Sequence, residues 1–335
     1  MNLAITPDQA ASVWYQKALQ YELFVGRASN PNDIKNSGIN HPEILAYKGR
    51  ILGNRSSVAE YADWTEFLLR DFGPRKHCLS LGSGLGRVEQ YLMRIGFTER
   101  FEAIELCANE NELLRFDSEK VNVLKGDLNF TELAENSYDF ILCHGVLHHL
   151  INLEYILDQI NRALKADGIL MIYEYIGETR WQFTDERMNF VRSRFPHLKM
   201  RVPRPWEVRG FESVRSGDLM ELLTNQFGAG VERSVSYGGV FFPLVICAPG
   251  RSDNDIRAAV EADAIVSANG AVPPCYHMGI YRKSERPATI ARKWSDSELR
   301  DRVTPKSPIV DRAIWSLRQS AFGGVLRTAK RAILP

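Results

Sequence analysis

Cys78-Leu79-Ser80-Leu81-Gly82-Ser83-Gly84-Leu85-Gly86-Arg87 runs from a short apolar stretch into three glycines at alternate positions, and Val88-Glu89-Gln90-Tyr91-Leu92 follows as a helix start. The pattern predicts a strand, a tight turn and a helix N-terminus. Glycine at such a turn adopts positive φ and lets a ligand lie against bare peptide. The N–H groups of the first helical turn face the same spot.

Working outward, strands and helices alternate. Strands are predicted at 77–81, 101–106, 121–124, 138–143 and 169–173, with helices over 88–95, 109–116 and 153–164. Short apolar strands separated by helices predict an α/β fold, a Rossmann-like doubly wound sheet with right-handed crossovers. Ligands in such sheets bind outside the carboxyl ends of the strands. Val231 to Tyr237 and Phe241 to Cys247 read as two more strands joined through Gly238-Gly239, which would put an antiparallel edge on the mostly parallel sheet.

Three regions follow from this reading. Residues 1–72 form an N-terminal helical cap, with helical apolar spacing over Ala10 to Val25 and Tyr61 to Phe72. Trp14, Tyr15 or Arg50 are the side chains with which it would reach a ligand. Residues 73–250 hold the sheet and an insert, 176–217, with nine Lys/Arg against five acids. Residues 251–335 read as a C-terminal helical extension with a basic tail. Arg300 to Pro335 has eight Lys/Arg against two Asp, and Ile309 to Leu334 keeps helical apolar spacing. That tail suits a docking helix, a homo-oligomer contact, or an interfacial helix giving peripheral membrane contact on anionic lipid.

Composition narrows the function classes. The chain has 335 residues and a formal net charge of +1, so no global field argues for nucleic acid. No apolar run approaches bilayer length, and the N-terminus lacks the basic and apolar regions of a signal peptide. Five scattered cysteines without a Cys-x-x-Cys pair fit thiols in a reducing cytoplasm.

The strand ends bring chemistry together. Gly82-Ser83-Gly84 follows the first strand, Glu105 ends the second, and Gly126-Asp127-Leu128-Asn129 follows the third. His144-Gly145-Val146-Leu147-His148-His149 follows the fourth, and the fifth runs into Glu174-Tyr175. An acid at the second strand end accepts hydrogen bonds from both hydroxyls of a ribose, and Asp127 stands where a carboxylate meets an adenine amino group. A nucleoside ligand fits. Dinucleotide turns carry Gly-x-Gly-x-x-Gly, whereas here the third glycine comes one residue early, which disfavours an NAD(P)-dependent oxidoreductase.

At these residues the sequence resembles the class I S-adenosylmethionine-dependent methyltransferases. The likeness covers 76 to about 175: Leu-Gly-Ser-Gly-Leu-Gly, Glu105, Gly126-Asp127, Tyr138-Asp139-Phe140-Ile141 with its Leu-His-His turn, and Leu164-Lys165-Ala166-Asp167-Gly168. It implies S-adenosyl-L-methionine held by Ser80, Gly82, Ser83, Gly84, Gly86, Glu105, Leu106, Asp127, Leu128, His144 and Gly145. The family usually has an acid at the position of Ser80, and serine there keeps a hydrogen-bonding group without charge. A looser resemblance, through 174–181, 212–216 and Tyr237-Gly238-Gly239, is to a bacterial subgroup linked to glycan or secondary-metabolite assembly. The function implied is O-methylation of a small-molecule, sugar or glycan acceptor. A catalytically silent partner protein on the same fold is the alternative.

An alcohol acceptor must lose a proton, for which imidazole or carboxylate is suited. His148, His144 and Glu174 are the catalytic candidates, with His148 first. Substrate binding is expected at His149, Arg180, Trp181 and Arg215, since guanidinium groups on an insert suit an acidic acceptor. His144 and His148 have i, i+4 spacing, yet no carboxylate or cysteine accompanies them locally, so no metal is expected.

Overall fold

The computed structural model describes residues 5–28, 41–53, 64–107, 120–285 and 295–305. The expected helix over 109–116 and the basic segment 309–334 lie outside the described residues. In chain order the first elements are α1 (Pro7–Ala10), α2 (Val13–Ala28), α3 (Pro42–Gly53), α4 (Trp64–Phe72), β1 (Cys78–Leu81), α5 (Arg87–Arg94) and β2 (Phe101–Glu105). Then come β3 (Val121–Lys125), β4 (Tyr138–His144), α6 (Leu153–Ala163), β5 (Leu164–Tyr175), α7 (Asp185–Arg194) and α8 (Leu219–Phe227). β6 (Val231–Tyr237), α9 (Phe241–Cys247), α10 (Asp253–Asn269), β7 (Tyr276–Arg282) and α11 (Asp296–Val303) complete the set.

The strands form one sheet of order β3-β2-β1-β4-β5-β7-β6. β1 to β5 pair in parallel, and β7 runs antiparallel to both β5 and β6. β1 is the central strand, with Leu81 beside Ile104 of β2 and Cys143 of β4. Its four residues are all buried because helices cover both faces, which is why the strand is apolar on both faces apart from Ser80. The chain steps outward from β1 to β2 and β3 and then crosses back to β4 on the other side of β1, so its order reverses beside β1, and that is where a crevice opens at the carboxyl ends.

Alternation along the strands sorts the core into two layers. Cys78, Phe140, Leu142, Met171 and Tyr173 face Ile44 of α3, Leu68 of α4, Leu92 of α5 and the apolar side of α10. Leu79, Leu81, Ile141, Cys143 and Ile172 face Ile156 and Ile160 of α6 and Leu223 and Phe227 of α8. A third, smaller core joins distant parts of the chain: Ile5, Tyr15 and Ala18, Ile151, Phe211 and Val214 of the insert, and Leu299 and Val303 of α11. All five cysteines are free, four of them buried.

Two expectations are corrected here. Phe241–Cys247 is a helix, not a strand. The run Phe-Phe-Pro-Leu-Val-Ile-Cys is apolar throughout, so periodicity cannot separate strand from buried helix. Asp263 decides it by accepting from Gly238 N (2.9 Å) and Val240 N (2.8 Å) as the chain turns into α9. The strand that completes the sheet is instead Tyr276–Arg282, inside the region read as a helical extension, so a boundary at 250 cuts through the sheet. His277 and Gly279 interrupt its apolar pattern. The antiparallel member is therefore the strand next to the edge, and β6 at the edge runs with β1 to β5.

Candidate functional site

The glycine turn leaves β1 with Gly82, Gly84 and Gly86 all at positive φ. At Gly82 (φ +65°) the requirement is double, since a Cβ would also lie 2.3 Å from Cγ2 of Val146. Gly84 N donates to Glu105 Oε2 (2.8 Å), and Cys107 N donates to Oε1 (3.0 Å), so the acid ending β2 is held against the turn. Ser83 Oγ is shielded and has no hydrogen-bond partner among the described residues.

Asp127 follows β3 and is held just as closely. Its Oδ1 accepts from Asn129 N (3.0 Å) and Nδ2 (2.9 Å), and its Oδ2 accepts from Tyr15 Oη (2.7 Å). Tyr15 is 1% exposed and stacks obliquely on Phe211 at 5.0 Å between centroids. Burial, followed by the Asp127 charge, pushes its phenol far above the ordinary tyrosine value, so it stays a proton donor. Of the cap residues considered from sequence, Tyr15 reaches the strand ends, Trp14 packs edge-on against it, and Arg50 is exposed.

Between these groups lies a cleft of about 210 Å³. Gly82, Glu105, Leu106, Asp127, Leu128, Gly145 and His149 line it, together with Glu22, Cys107, Asn129, Val146, Leu150 and Phe211, which the sequence reading did not single out. A wider basin of about 1220 Å³ lies at the opposite ends of the strands, lined by Arg75, Lys76, Arg94 and Arg100 among others, and contains none of these acids or histidines. The cleft fits the adenosine-bearing cofactor on two observations: the orphaned Ser83 Oγ on the turn beside it, and the bare backbone that Gly82 presents to it.

The other cofactor candidates sit behind the cleft wall. Gly86 is the N-cap of α5. Ser80, 1% exposed, donates through Oγ to Glu89 Oε1 at 2.5 Å. Glu89 is 2% exposed, and burial pushes its carboxyl up to about 7. A carboxyl thus lies beneath the glycine turn after all, supplied by α5 instead of β1. His144 stacks on Tyr173 (4.7 Å, 10°), on the face towards α3, where Lys48 Nζ stands 5.2 Å from the same ring. Burial, aided by Lys48 and opposed by Glu174, pulls His144 down to about 4, so its imidazole is neutral at pH 7.

After β4 the chain turns at Gly145 into a single 3-10 turn, Leu147–His149. Glu174 organises it. This carboxylate is fully buried and accepts from Val146 N and Leu147 N, both at 2.8 Å, and its Oε2 lies 2.7 Å from His148 Nδ1. Ionised, it makes Nδ1 the protonated nitrogen and leaves Nε2 as the acceptor. The insert then closes over the turn: Val214 N donates to the His148 carbonyl (3.1 Å) and brings Glu212 against both histidines. His148 Nε2 is 3.7 Å from Glu212 Oε1, and His149 Nε2 is 3.6 Å from Glu212 Oε2. Ser213, at φ +51°, donates its hydroxyl to Glu212 Oε1 (2.7 Å). Against the cost of burial, Glu212 and Glu22 raise His149 to about 9, while His149 and His148 hold Glu212 below the usual glutamate value.

The arginines expected to meet substrate are corrected. Arg180 is 1% exposed, and its guanidinium donates to the carbonyls of Val208, Gly210, Arg302 and Val303 at 2.7–3.0 Å. Arg215 is equally buried and forks onto Glu154 with two 2.7 Å bonds, with Asp218 on its Nε. Both guanidinium groups face inward and tie the insert to α6 and α11. Trp181 packs edge-on against Phe242 as part of the core. Glu212 is the residue sequence reasoning overlooked as a site member, because nothing local distinguishes it from the insert's other acids.

Comparison with known proteins agrees with this geometry. Residues 79–172 match the family described as "Methyltransferase domain", whose cofactor is S-adenosylmethionine. No curated protein matches the chain at a significant level. Solved structures similar to it include an S-adenosylmethionine-dependent methyltransferase from Mesorhizobium loti, at 16% identity over 65% of this chain and 96% of that one, with a TM-score of 0.37. Geranyl diphosphate C-methyltransferase from Streptomyces coelicolor A3(2) is similar at 12% identity, over 67% and 76% of the two chains, with a TM-score of 0.42. Likenesses of this size bear on neither substrate nor residue roles. The glycine turn, the two strand-end acids and the histidine turn all lie within the matched segment, and residues 79–172 constitute a methyltransferase domain.

Proposed function

We propose that the protein transfers a methyl group to a hydroxyl of a small-molecule, sugar or glycan acceptor. S-adenosylmethionine supplies the activated methyl group when bound. Gly82, Ser83, Gly84, Glu105 and Asp127 are the residues that would hold it. Methyl transfer from a sulfonium requires chiefly alignment and exclusion of water, and Tyr15, Phe211 and Glu22 close the cleft from the cap and insert sides.

The observation that carries the oxygen acceptor is the buried Glu174–His148 pair, 2.7 Å apart, next to the cleft-lining Gly145 and His149. Glu174 locks Nδ1, so Nε2 is the atom left to take a hydroxyl proton. The looser resemblance to glycan and secondary-metabolite enzymes supports the acceptor class. The acceptor is neutral in this reading, because Arg180 and Arg215 face inward while Glu22, Glu105, Asp127 and Glu212 surround the approach.

Titration calorimetry tests the reading first. S-adenosylhomocysteine is expected to bind one to one and NADH not at all; absence of S-adenosylhomocysteine binding overturns it. Methyl transfer from labelled donor to a panel of hydroxylated acceptors then separates an enzyme from a silent partner. His148→Gln is expected to lower kcat by at least about 100-fold with little change in S-adenosylhomocysteine affinity. An undiminished kcat removes the proton-acceptor role.

A further inference from the structure

We propose that His148, His149 and Glu212 form a binding site for one first-row divalent transition-metal ion. One donor atom from each lies within 4.8 Å of the others. The spacing distinguishes this group from directly hydrogen-bonded pairs. Where a histidine and a carboxylate bond directly in this molecule they close to 2.7 Å, as His148 Nδ1 does with Glu174. The two Nε2 atoms instead stand 3.7 and 3.6 Å from the oxygens of Glu212. That is too long for a charge-assisted hydrogen bond, normally about 2.7–2.9 Å, and too short to seat a bridging water. Ligands about 2.0–2.1 Å from a tetrahedral ion lie about 3.3 Å from one another, so each imidazole stands within a few tenths of an ångström of that spacing from one oxygen of Glu212.

The surroundings aim these atoms independently. Each histidine has its Nδ1 turned to a carboxylate and its Nε2 turned to Glu212: Glu174 stands 2.7 Å from Nδ1 of His148, and Glu22 stands 3.5 Å from Nδ1 of His149. A carboxylate hydrogen-bonded behind the ring, as Glu174 is behind His148, is how metal-binding imidazoles are oriented and made more basic, whereas His149 Nδ1 faces Glu22 without a hydrogen bond. Ser213 Oγ holds Glu212 Oε1, and Glu22 accepts from Phe211 N (2.5 Å), which ties the backbone beside Glu212 to α2. The side chains of His149 and Glu212 are 29% and 27% exposed, while Glu174 is fully buried. The orienting acid is dry and the ligand face is open. Two imidazoles with one carboxylate and open positions suit zinc, manganese, iron or cobalt better than magnesium or calcium.

The site stands on its own geometry; its part in the reaction deepens the methyl-transfer reading and rests on it. An ion there would offset the carboxylates around the cleft and bind the acceptor hydroxyl in an open position, lowering that hydroxyl's pKa so that its proton passes to water. With the ion bound His148 Nε2 would be its ligand, and in the metal-free protein the same atom is the proton acceptor.

The test uses the full chain, treated with chelator and dialysed, and titrated with Co2+ followed by visible absorption and calorimetry. One saturable equivalent is expected, with affinity reduced at least about tenfold in His149→Ala and in Glu212→Gln. Circular dichroism and S-adenosylhomocysteine binding report whether each variant is folded. No saturable equivalent overturns the site, as does binding unchanged in both variants. Thiolate-to-cobalt charge-transfer absorption would place the ion on a cysteine and overturn it equally. Methyl transfer undiminished by chelation assigns proton removal to His148 directly and removes the metal from the reaction. Stoichiometric Co2+ binding without S-adenosylhomocysteine binding leaves the metal site standing and overturns the methyl-transfer reading instead.

Discussion

Glu89 shows how a single side chain can be displaced in sequence and restored in space. Its carboxyl lies under the glycine turn, bonded to Ser80, with its second oxygen unpartnered among the described residues. Burial raises it to about 7 from 4.5. A carboxyl raised on folding stabilises the protein fully below its unfolded value and loses that contribution as pH climbs through the folded value. Stability measured by urea denaturation is therefore expected to fall between pH 4.5 and about 7 on account of this group. Glu89→Gln should match the wild type near pH 4 and exceed it by a few kcal/mol at pH 8. Parallel pH profiles for the two proteins would reject this account. At Gly82, the clash with Val146 and the positive φ act together. Gly82→Ala is expected to weaken S-adenosylhomocysteine binding by at least about tenfold, since reshaping the turn costs more than about 1–2 kcal/mol.

Among the elements, the insert is the one whose role the structure reverses. From sequence its arginines face an acidic acceptor; in the fold Arg180 satisfies carbonyls from the insert and from α11 while sitting, like Trp181, at positive φ. Two consecutive non-glycine residues in that region cost about 1–2 kcal/mol each, and the guanidinium network holds them there. Arg180→Ala leaves several buried carbonyls unpaired, and is expected to destabilise by about 3–5 kcal/mol. For any acceptor that the enzyme methylates, its KM should change far less than the melting temperature. A large KM effect at unchanged stability would restore the substrate-contact reading. The insert's contribution to the site is instead Glu212 and Phe211, carried on the segment that Arg180 and Arg215 anchor.

For the molecule as a whole, the small third core links the cofactor cleft to both ends of the described chain. Leu299 on α11 packs in the same cluster as Tyr15 and Phe211, and Tyr15 holds Asp127. Leu299→Ala is expected to cost about 2–4 kcal/mol and to loosen S-adenosylhomocysteine binding. Leu157→Ala, a truncation of the same size in the core beneath α6 and α8, should cost similar stability with little effect on that affinity. Calorimetry on the two variants checks the difference; equal effects on affinity would mean that the third core does not support the cleft.

The sequence by itself determined the sheet from β1 to β5 and the cofactor side of the site. Those features are local: an apolar strand, a glycine turn and the acid or histidine immediately after a strand end are neighbours along the chain, and the parallel topology brings successive strand ends to one edge. Only the tertiary structure decided the rest. Phe241–Cys247 reads the same as strand or buried helix until Asp263 caps the turn before it, and β7 is recognisable only from the ladder it completes. Arg180 and Arg215 look like surface cations until their acceptors, up to 123 residues distant along the chain, surround them. The histidines lacked a carboxylate partner within their own motif, and the insert, folding back onto Leu147–His149, supplied Glu212 from a separate part of the chain. Side chains distant in sequence meet through packing and burial, and no local spacing encodes that meeting.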